Sequence, residues 1–419
     1  MRKIVVSGGR TLSGEVEIGG SKNAALPILF GGIVTGGECV FSRLPRVSDV
    51  LRTLEILRYL GARISFLKNG DVRVDYSTLR EGLPPATLTA AIRGSTYLLG
   101  AMLARFGKAR LCGAGGCDFG SRPIDQHLLG FEKMGAKIQE NEGMLTLFAD
   151  NGLCGTHIRL AMPSVGATAN LMIAATAAEG ETVIENAAAE PHVAALAAFL
   201  SDAGADIQGV GTGVVTVKGK KPLHGVRNTI IPDMIEAGTY LALGAACRGP
   251  VCVRSVCPEH LTALLDYFRA MGIFVRTDED SITVAAPEAY RNTDIVTGPF
   301  PAFPTDLHPQ MAALFAIGDR AVGKGSVEER VFASRFRYTE GLAAMGADVR
   351  IEGNRAFFSP VCLHSNKLRS PDLRGGAALL IAALATAGES EITNAFTVAR
   401  GYEHLEEKLG ALGACVRVY

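Results

Sequence analysis

The chain has 419 residues, more than one hydrophobic core usually organises, so its length predicts two or three domains, with two as the working number. Hydrophobic residues make up 48% of the sequence and charged residues 20%, a balance that argues against intrinsic disorder. Lys+Arg and Asp+Glu both number 42, and without a basic run the sequence argues against nucleic-acid binding.

The sequence favours a cytoplasmic protein without a membrane partner. The only apolar run near the N-terminus is Ile4-Val5-Val6, too short for a secretion signal, and no segment approaches the ~18 apolar residues of a membrane helix. Nine cysteines, an odd number, favour free thiols over a disulfide framework. Cys247, Cys252 and Cys257 recur near His260 but contain no C-x-x-C pair, so buried thiols are expected there rather than zinc.

Six predicted helices are apolar on nearly every face. Such helices belong inside a core, because no face of them favours water. Each is followed by a turn and a strand-like stretch, as at 108–111, 181–185, 251–256 and 389–393. In chain order the six helices are predicted at 24–34, 94–106, 167–178, 237–246, 310–317 and 377–387.

A second, amphipathic helix follows each buried helix and ends at a glycine. These glycines recur every 67 to 74 residues, and each is predicted to adopt the left-handed conformation that closes a helix. Six α/β units of this length fit two compact domains of three units better than a solenoid, and the Lys/Pro/Gly-rich stretch 218–230 is predicted to link them. A cleft between two domains is the expected ligand site. The glycines are Gly61, Gly135, Gly204, Gly272, Gly346 and Gly413.

Three connectors in the first half of the chain carry unusual residues. The connector 112–123 holds Cys117 among four glycines, which fits a mobile lid with a reactive thiol and a plain surface loop equally well. Ser21-Lys22-Asn23 opens the first buried helix, so Lys22 is either part of an anion site or a solvated lysine. The stretch 163–168 precedes the third buried helix and is either a phosphate-binding turn or an ordinary cap.

The second half of the chain presents one carboxylate and several arginines. The stiff, proline-bracketed loop 300–306 places Asp306 just before the fifth buried helix, as a general base or as a helix cap. Arg335, Arg374 and Arg400 lie at the ends of other connectors. Arginines converging on a cleft imply an anionic ligand, with surface ion pairs as the alternative.

Seven of these motifs, in this order and along the whole chain, resemble the UDP-N-acetylglucosamine 1-carboxyvinyltransferase family of enolpyruvyl transferases. The resemblance implies a two-domain α/β fold in which three related units form an inside-out barrel in each domain. It implies a first domain at 21–230 and a second at 231–419, which the N-terminal segment 1–20 joins. The motifs are 21–27, 115–117, 122–123, 164–168, 303–306, 372–374 and 400–403.

The resemblance also implies a reaction. Enolpyruvate passes from phosphoenolpyruvate to the 3-hydroxyl of UDP-N-acetylglucosamine with release of phosphate, the first committed step of peptidoglycan synthesis, and neither a metal nor a cofactor is implied. Cys117 would be the acid at C3 of phosphoenolpyruvate and Asp306 the base, while Lys22, Arg122 and Arg400 would hold the phosphoenolpyruvate anion. The implied binding residues for the sugar nucleotide and its surroundings are Asn23, Arg93, Arg122, Pro123, Asp125, Ser164, Val165, Gly166, Asp306, Val331 and Asp372.

Three positions depart from the family's pattern. The family usually has a lysine where Ser48 stands, an arginine where Met234 stands and an acid where Ala333 stands, and Arg46 could partly replace the first charge. Two alternatives therefore stay open. One is an enolpyruvyl transferase for another acceptor, such as 5-enolpyruvylshikimate-3-phosphate synthase, and the other is a non-catalytic paralogue that binds a sugar nucleotide.

Overall fold

The computed structural model describes residues 3–112, 124–318, 321–332 and 335–419. The chain is mixed α/β and divides into two compact units. Among the described residues, the first unit contains 20–112 and 124–231, and the second contains 3–19 and 232–419.

The helices of the described ranges alternate between buried and amphipathic ones, as the sequence predicts. Three short 3₁₀ helices lie at Arg93–Thr96, Pro258–Leu261 and Ala395–Arg400. The α-helices are α1 Lys22–Thr35, α2 Ser48–Tyr59, α3 Ala86–Thr89, α4 Tyr97–Phe106, α5 Asp125–Lys133, α6 Val165–Ala175, α7 Pro191–Asp202, α8 Met234–Ala246, α9 Thr262–Ala270, α10 His308–Ala316, α11 Tyr338–Ala344, α12 Leu373–Ala385 and α13 Leu405–Ala411.

The strands are short and lie between the helices. In chain order they are β1 Lys3–Gly8, β2 Gly14–Glu17, β3 Glu38–Ser42, β4 Arg63–Phe66, β5 Val72–Asp75, β6 Lys108–Cys112, β7 Lys137–Asn141, β8 Met144–Phe148, β9 His157–Arg159, β10 Glu181–Glu185, β11 Asp206–Gln208, β12 Val214–Lys218, β13 Arg227–Thr229, β14 Val251–Arg254, β15 Phe274–Thr277, β16 Ser281–Ala285, β17 Tyr290–Arg291, β18 Asp294–Val296, β19 Ala321–Val322, β20 Gly325–Glu328, β21 Asp348–Glu352, β22 Arg355–Ser359, β23 Lys367–Arg369, β24 Gly388–Thr393 and β25 Cys415–Val418.

The strands of the first unit form the sheets β13-β3-β5-β4, β6-β8-β7 and β11-β12-β10-β9. Those of the second unit form β15-β16-β14-β2, β18-β20-β22-β21 and β23-β24-β1-β25, with a small β17-β19 pair. In the sheet of β10, Glu181 faces Lys218 of the antiparallel β12, and Val183 faces His157 of the parallel β9. The last sheet joins both ends of the chain, because β1 lies between β24 and β25.

The six apolar helices are buried, which confirms that prediction. In α12 every residue is buried, and in α1 eleven of the fourteen are. Most of them begin a few residues earlier than the apolar pattern predicts, because their first turns carry polar or charged residues that the pattern leaves out. In the second repeat the first turn is the 3₁₀ helix that precedes α4.

Neighbouring buried helices of each unit lie side by side and are joined by polar side chains. In the first unit, the Nδ2 of Asn170 in α6 donates to the carbonyl oxygen of Thr96 at the start of α4 at 2.8 Å. In the second unit, the Nε2 of Gln310 in α10 donates to the Oγ1 of Thr239 in α8 at 3.0 Å. Each buried helix has the positive end of its dipole and its first backbone N–H groups at its N-terminus.

All six repeat glycines adopt the predicted left-handed conformation, with φ between 83° and 109°. At the end of α2, for example, the N–H of Gly61 donates to the carbonyl of Arg58 and that of Ala62 to the carbonyl of Leu57. This pairing satisfies carbonyl groups that the helix end would otherwise leave open. The period of the sequence thus marks real helix ends.

The stretch 218–230 is not the linker that the sequence predicts. It contains β13, whose residues Arg227–Thr229 pair in parallel with Val40, Phe41 and Ser42 of β3. The Lys/Pro/Gly composition comes from the turns that lead into this strand. The segment therefore belongs to the first unit, and the chain passes to the second unit after Ile231.

The cysteines in the described ranges are free thiols, as predicted, and Cys117 lies outside those ranges. Within the same ranges no helix is both long and apolar enough to cross a bilayer.

Replacing Gly413 by alanine is expected to destabilise the protein by about 1–2 kcal/mol, because an L-residue is strained in the left-handed conformation. No atom lies within 4 Å of the added Cβ, so backbone strain is the whole cost. Gly410, inside α13 and equally open, is the matched control: Gly410→Ala should leave stability unchanged or raise it by up to about 1 kcal/mol. Urea unfolding of both variants measures the difference, and equal stabilities would contradict the left-handed assignment.

Candidate functional site

Lys22 is held in an ion pair at the N-terminus of α1. Its Nζ lies 3.3 Å from the Oδ2 of Asp49 in α2, and the two side chains are 12% and 4% exposed. Ser21 caps the helix, since its side chain accepts a hydrogen bond from the N–H of Ala24. The structure therefore contradicts the interpretation of Lys22 as a solvated lysine and fixes its charge beside a helix N-terminus.

Other predicted residues of the first unit lie at neighbouring helix starts. Ser164 caps α6, and its side chain accepts from the N–H of Ala167, while Val165 and Gly166 form the first turn and are partly exposed. Asn23 is partly exposed in the first turn of α1. Backbone N–H groups at such starts are a natural anion site.

Arg93 and Asp125 stand at the starts of two further helices. Arg93 begins the 3₁₀ turn ahead of α4 and is partly exposed, and Asp125 begins α5 and is exposed. Cys117, Arg122 and Pro123 lie outside the described residues.

His127 is a residue of this region that the sequence does not single out. It is 5% exposed, and its Nδ1 lies 2.9 Å from the Nδ2 of Asn170. The amide of Asn170 is fixed by two backbone groups, because its Oδ1 accepts from the N–H of Gly100 and its Nδ2 donates to the carbonyl of Thr96. Its Nδ2 must then also be the donor to His127, so Nδ1 of the imidazole is an acceptor.

The remaining ring nitrogen of His127 faces the start of α6. Burial and the charge of Arg93, opposed by the charge of Asp125, together lower the pKa of His127 to about 4, so the ring is neutral near pH 7. A neutral ring that accepts at Nδ1 carries its proton on Nε2. A Cβ added to Gly166 would lie 3.1 Å from that Nε2. His127 thus presents an N–H donor next to the first turn of α6.

Asp306 is held by two buried arginines of the second unit. Its Oδ2 accepts from the Nε of Arg374 at 3.1 Å and from the Nη2 at 3.0 Å, and its Oδ1 lies 2.7 Å from the Nη2 of Arg335. The arginine side chains are 2% and 3% exposed, whereas that of Asp306 is 25% exposed. The N-cap of α10 is Leu307, so the alternative that Asp306 caps this helix is wrong.

Asp372 fixes the arginine that reaches Asp306. It caps α12, where its Oδ1 accepts from the N–H groups of Arg374 and Gly375 at 2.9 and 3.0 Å. Burial opposes the charge of Arg374, but the carboxylates of Asp306 and Asp233 and the side chain of Tyr402 raise its pKa. Arg374 is therefore a permanent cation at this helix start.

Arg400 lies at the end of a 3₁₀ helix that the core anchors. Two residues later Tyr402 is buried, its ring lies under the guanidinium of Arg374 with the centroid 5.8 Å from Cζ, and its hydroxyl is 2.8 Å from the Oγ1 of Thr239. Val331, another predicted binding residue, is partly exposed and donates its N–H to the Oε1 of Glu329 at 2.6 Å. Buried polar side chains thus fix the backbone around both Arg400 and Val331.

Comparisons with known proteins decide the family. The profile of the family EPSP synthase (3-phosphoshikimate 1-carboxyvinyltransferase) matches residues 6–409. The UDP-N-acetylglucosamine 1-carboxyvinyltransferase 2 of Carboxydothermus hydrogenoformans is 44% identical, with 99% of this chain and 98% of that protein covered. The UDP-N-acetylglucosamine 1-carboxyvinyltransferase of Halothermothrix orenii is 42% identical, with 100% and 99% covered. The chain belongs to this family of enolpyruvyl transferases.

Solved structures of enolpyruvyl transferases have the same fold. The enolpyruvyl transferase NikO from Streptomyces tendae superposes with a TM-score of 0.89 at 27% identity and covers 99% of this chain and 98% of its own. An EPSP synthase from Acinetobacter baumannii superposes with a TM-score of 0.75 at 19% identity over the whole of both chains, which supports the fold alone. The mixed α/β fold of this chain is therefore that of the enolpyruvyl transferases.

The structure brings together groups of this family member that the sequence lists separately. Arg335 and Arg374 appear in the sequence as isolated charges, and only their contacts with Asp306 reveal a common role. Asp49, the partner of Lys22, carries no local signal beyond its place in the first turn of α2. Across the described ranges no group of three or more His, Cys, Asp or Glu side chains is arranged to hold a metal ion.

We expect His127 to stay neutral, with its proton on Nε2, down to about pH 5, because its pKa is lowered to about 4. Nitrogen-15 NMR of labelled histidines measures both the charge and the tautomer, and a His127→Asn variant assigns the signal. Because the pKa of His127 in the folded protein lies below its ordinary value of 6.5, His127 contributes stability above pH 6.5 and loses it as the pH falls towards 4. Protonation near pH 6.5, or a proton on Nδ1, would contradict the assignment.

Proposed function

We propose that this chain transfers the enolpyruvyl group of phosphoenolpyruvate to the 3-hydroxyl of UDP-N-acetylglucosamine and releases phosphate, as a cytoplasmic step of peptidoglycan synthesis. The observation that carries this function is the 44% identity over 99% of the chain to a protein of that name. The buried arginine pair around Asp306 supports it, because such a pair holds one carboxylate in a fixed direction.

In the proposed reaction the sugar hydroxyl adds to C2 of phosphoenolpyruvate and gives its proton to Asp306. C3 gains a proton from Cys117, which forms a tetrahedral ketal. The double bond is then restored as C3 returns a proton to the Cys117 thiolate and phosphate leaves C2 with the proton that Asp306 had accepted. The partly exposed carboxylate of Asp306 supports the role of base, since the group must reach a substrate hydroxyl.

The anions of the two substrates are assigned to the cations and helix starts of the site. Lys22, Arg122 and Arg400 hold phosphoenolpyruvate, whose carboxylate and phosphate match ammonium and guanidinium donors. The sugar nucleotide is bound by Asn23, Arg93, Asp125, Ser164, Val165, Gly166, Asp306 and Val331, with uracil near Arg122 and Pro123, and Asp372 is a further substrate-binding residue. The backbone N–H groups at the start of α6 and the Nε2–H of His127 favour a diphosphate there.

We also propose that the two compact units are the domains of this enzyme and that each is an inside-out barrel of three related units. Three sheets of three or four strands and three buried helices occur in the described part of each unit, which supports the repeat. The pairing of β1 with β24 and β25 supports the return of the N-terminal segment to the second domain.

The three departures from the family's pattern decide how active the enzyme is. Ser48 and Met234 are the first residues of α2 and α8, so each replaces a family cation at a helix start, and Ala333 lies outside the described residues. Met234 also lines an open surface pocket with Glu259 and Pro304. Loss of a cation at these places is expected to weaken anion binding before it affects proton transfer.

A phosphate-release assay tests the function. With phosphoenolpyruvate present, release that depends on UDP-N-acetylglucosamine is the expected result. Release that requires shikimate 3-phosphate instead would assign another acceptor. Binding of UDP-N-acetylglucosamine in calorimetry without any phosphate release would identify a non-catalytic paralogue.

Replacing Asp306 by asparagine is expected to lower turnover by ~10²–10⁴-fold, because the side chain keeps its shape but loses its ability to accept a proton. The dissociation constant of UDP-N-acetylglucosamine should change far less, since a base acts mainly in the transition state. Steady-state kinetics and calorimetry measure the two effects.

Asp266→Asn is the matched control, because it removes an exposed carboxylate of the same unit that pairs only with Arg269 on the surface of α9. Its turnover should equal that of the wild type. Near-normal turnover of Asp306→Asn, in a protein with an unchanged unfolding temperature, would refute the assignment of the base.

A further inference from the structure

Close to Asp306 lies a second carboxylate, which has no role in the proposed reaction and belongs to none of the sequence motifs. Glu329 follows β20 directly, and its side chain is fully buried. Its own backbone is fixed, because its N–H donates to the carbonyl of Asn354 at 2.8 Å and the Nδ2 of Asn354 donates to its carbonyl at 3.1 Å. A buried carboxylate costs free energy unless several donors surround it.

The donors around Glu329 come from two separate segments of the chain. Its Oε1 accepts from the N–H groups of Val331 and Phe332 at 2.6 and 2.8 Å. Its Oε2 accepts from the hydroxyl of Thr305 at 2.8 Å. One carboxylate thus ties the backbone at Val331 to the loop that carries Asp306.

Thr305 connects Glu329 to Asp306 through Arg335. Its hydroxyl donates its single proton to Glu329. The hydroxyl oxygen therefore accepts a hydrogen bond from the Nη1 of Arg335, at 2.9 Å. The other terminal nitrogen of the same guanidinium contacts the Oδ1 of Asp306 at 2.7 Å. Because a guanidinium is planar and rigid, fixing one of its nitrogens fixes the other.

His308 is a further buried residue next to Glu329. It is fully buried, its Nε2 lies 3.2 Å from the Oε2 of Glu329 in a geometry that forms no hydrogen bond, and its Nδ1 is 3.3 Å from the hydroxyl of Tyr338. Burial lowers the pKa of His308 well below its usual value, and the charge of Arg335 lowers it further. The imidazole of His308 beside the carboxylate of Glu329 is therefore neutral.

We infer that Glu329 is a positioning residue for the reaction: acting through Thr305 and Arg335, it sets the direction in which Asp306 presents its carboxylate. The inference rests on the proposed function for its catalytic consequence, but the geometry it describes exists without substrate. Glu329 itself touches no reacting atom in this scheme. Its effect on the direction of Asp306 passes through the threonine hydroxyl, whereas its hydrogen bonds to Val331 and Phe332 fix a different segment.

Thr305→Val tests the inference, because valine keeps the shape and removes the hydroxyl, while Thr305→Ser keeps the hydroxyl. For Thr305→Val we expect kcat to fall by about 10- to 100-fold, with KM for UDP-N-acetylglucosamine changed by less than about threefold, since misplacement of a reacting group costs rate rather than binding. Thr305→Ser should stay within about threefold of the wild type.

Thr386→Val is the matched control. Thr386 lies just beyond the C-terminal end of α12 and is 7% exposed, and among the described residues its hydroxyl donates only to the carbonyl of Ala382, at 2.8 Å. This variant loses a buried hydroxyl of the same kind without any link to Asp306, so its kcat should equal that of the wild type. If Thr305→Val and Thr386→Val reduced kcat equally, the hydroxyl would be only structural and the inference would be overturned.

Crystal structures of Thr305→Val and Thr305→Ser separate this inference from the proposed function, because they need no turnover. We expect the 2.7 Å contact between Arg335 and Asp306 to be lost in the valine variant and kept in the serine variant. An unchanged contact in Thr305→Val would overturn the inference even if the enzyme is active. Absence of phosphate release from the wild type would overturn the proposed function and leave this structural result standing.

Discussion

The burial of helices that have no polar face is the constraint on which both the fold and the site depend. Every residue of α12 is buried, so this helix can only lie inside its unit. Polar groups such as Gln310 and Thr239 form hydrogen bonds between neighbouring helices. Lys22 in the first unit and Asp306 in the second each lie in the first turn of a buried helix or just before one, where backbone N–H groups and the helix dipole attract anions.

The arginines at Asp306 are better explained as positioning groups than as sources of stability. Arg335 and Arg374 are 3% and 2% exposed, and the cost of removing such charges from water roughly cancels their attraction to a carboxylate. What the pairs supply is direction, because two planar guanidinium groups hold both carboxylate oxygens. Glu329 and Asp372 act in the same way. The buried carboxylate of Asp372 fixes the start of α12, which carries Arg374, and that of Glu329 fixes Thr305, the hydrogen-bond acceptor of Arg335.

The sequence predicted the parts of this structure that depend on local chemistry. The left-handed glycines and the six buried helices follow from backbone sterics and from the absence of polar faces, and both appear as expected. The stretch 218–230 was misjudged because composition does not reveal that Arg227–Thr229 pairs with a strand far back in the chain. The contacts of His127 and Glu329 were missed for the same reason: hydrophobic periodicity shows which face is buried but not which side chain lies beside it, and the partners Asn170 and Thr305 are distant in the sequence.

Nitrogen-15 NMR of the arginine side chains in the ligand-free protein tests most directly whether the fold arranges the site in advance. The account predicts separate, slowly exchanging Nε–H signals for the buried Arg335 and Arg374 before any substrate is added, and their loss or shift in Asp306→Asn. Signals that exchange rapidly in the free protein and become protected only when phosphoenolpyruvate and UDP-N-acetylglucosamine are added would contradict it.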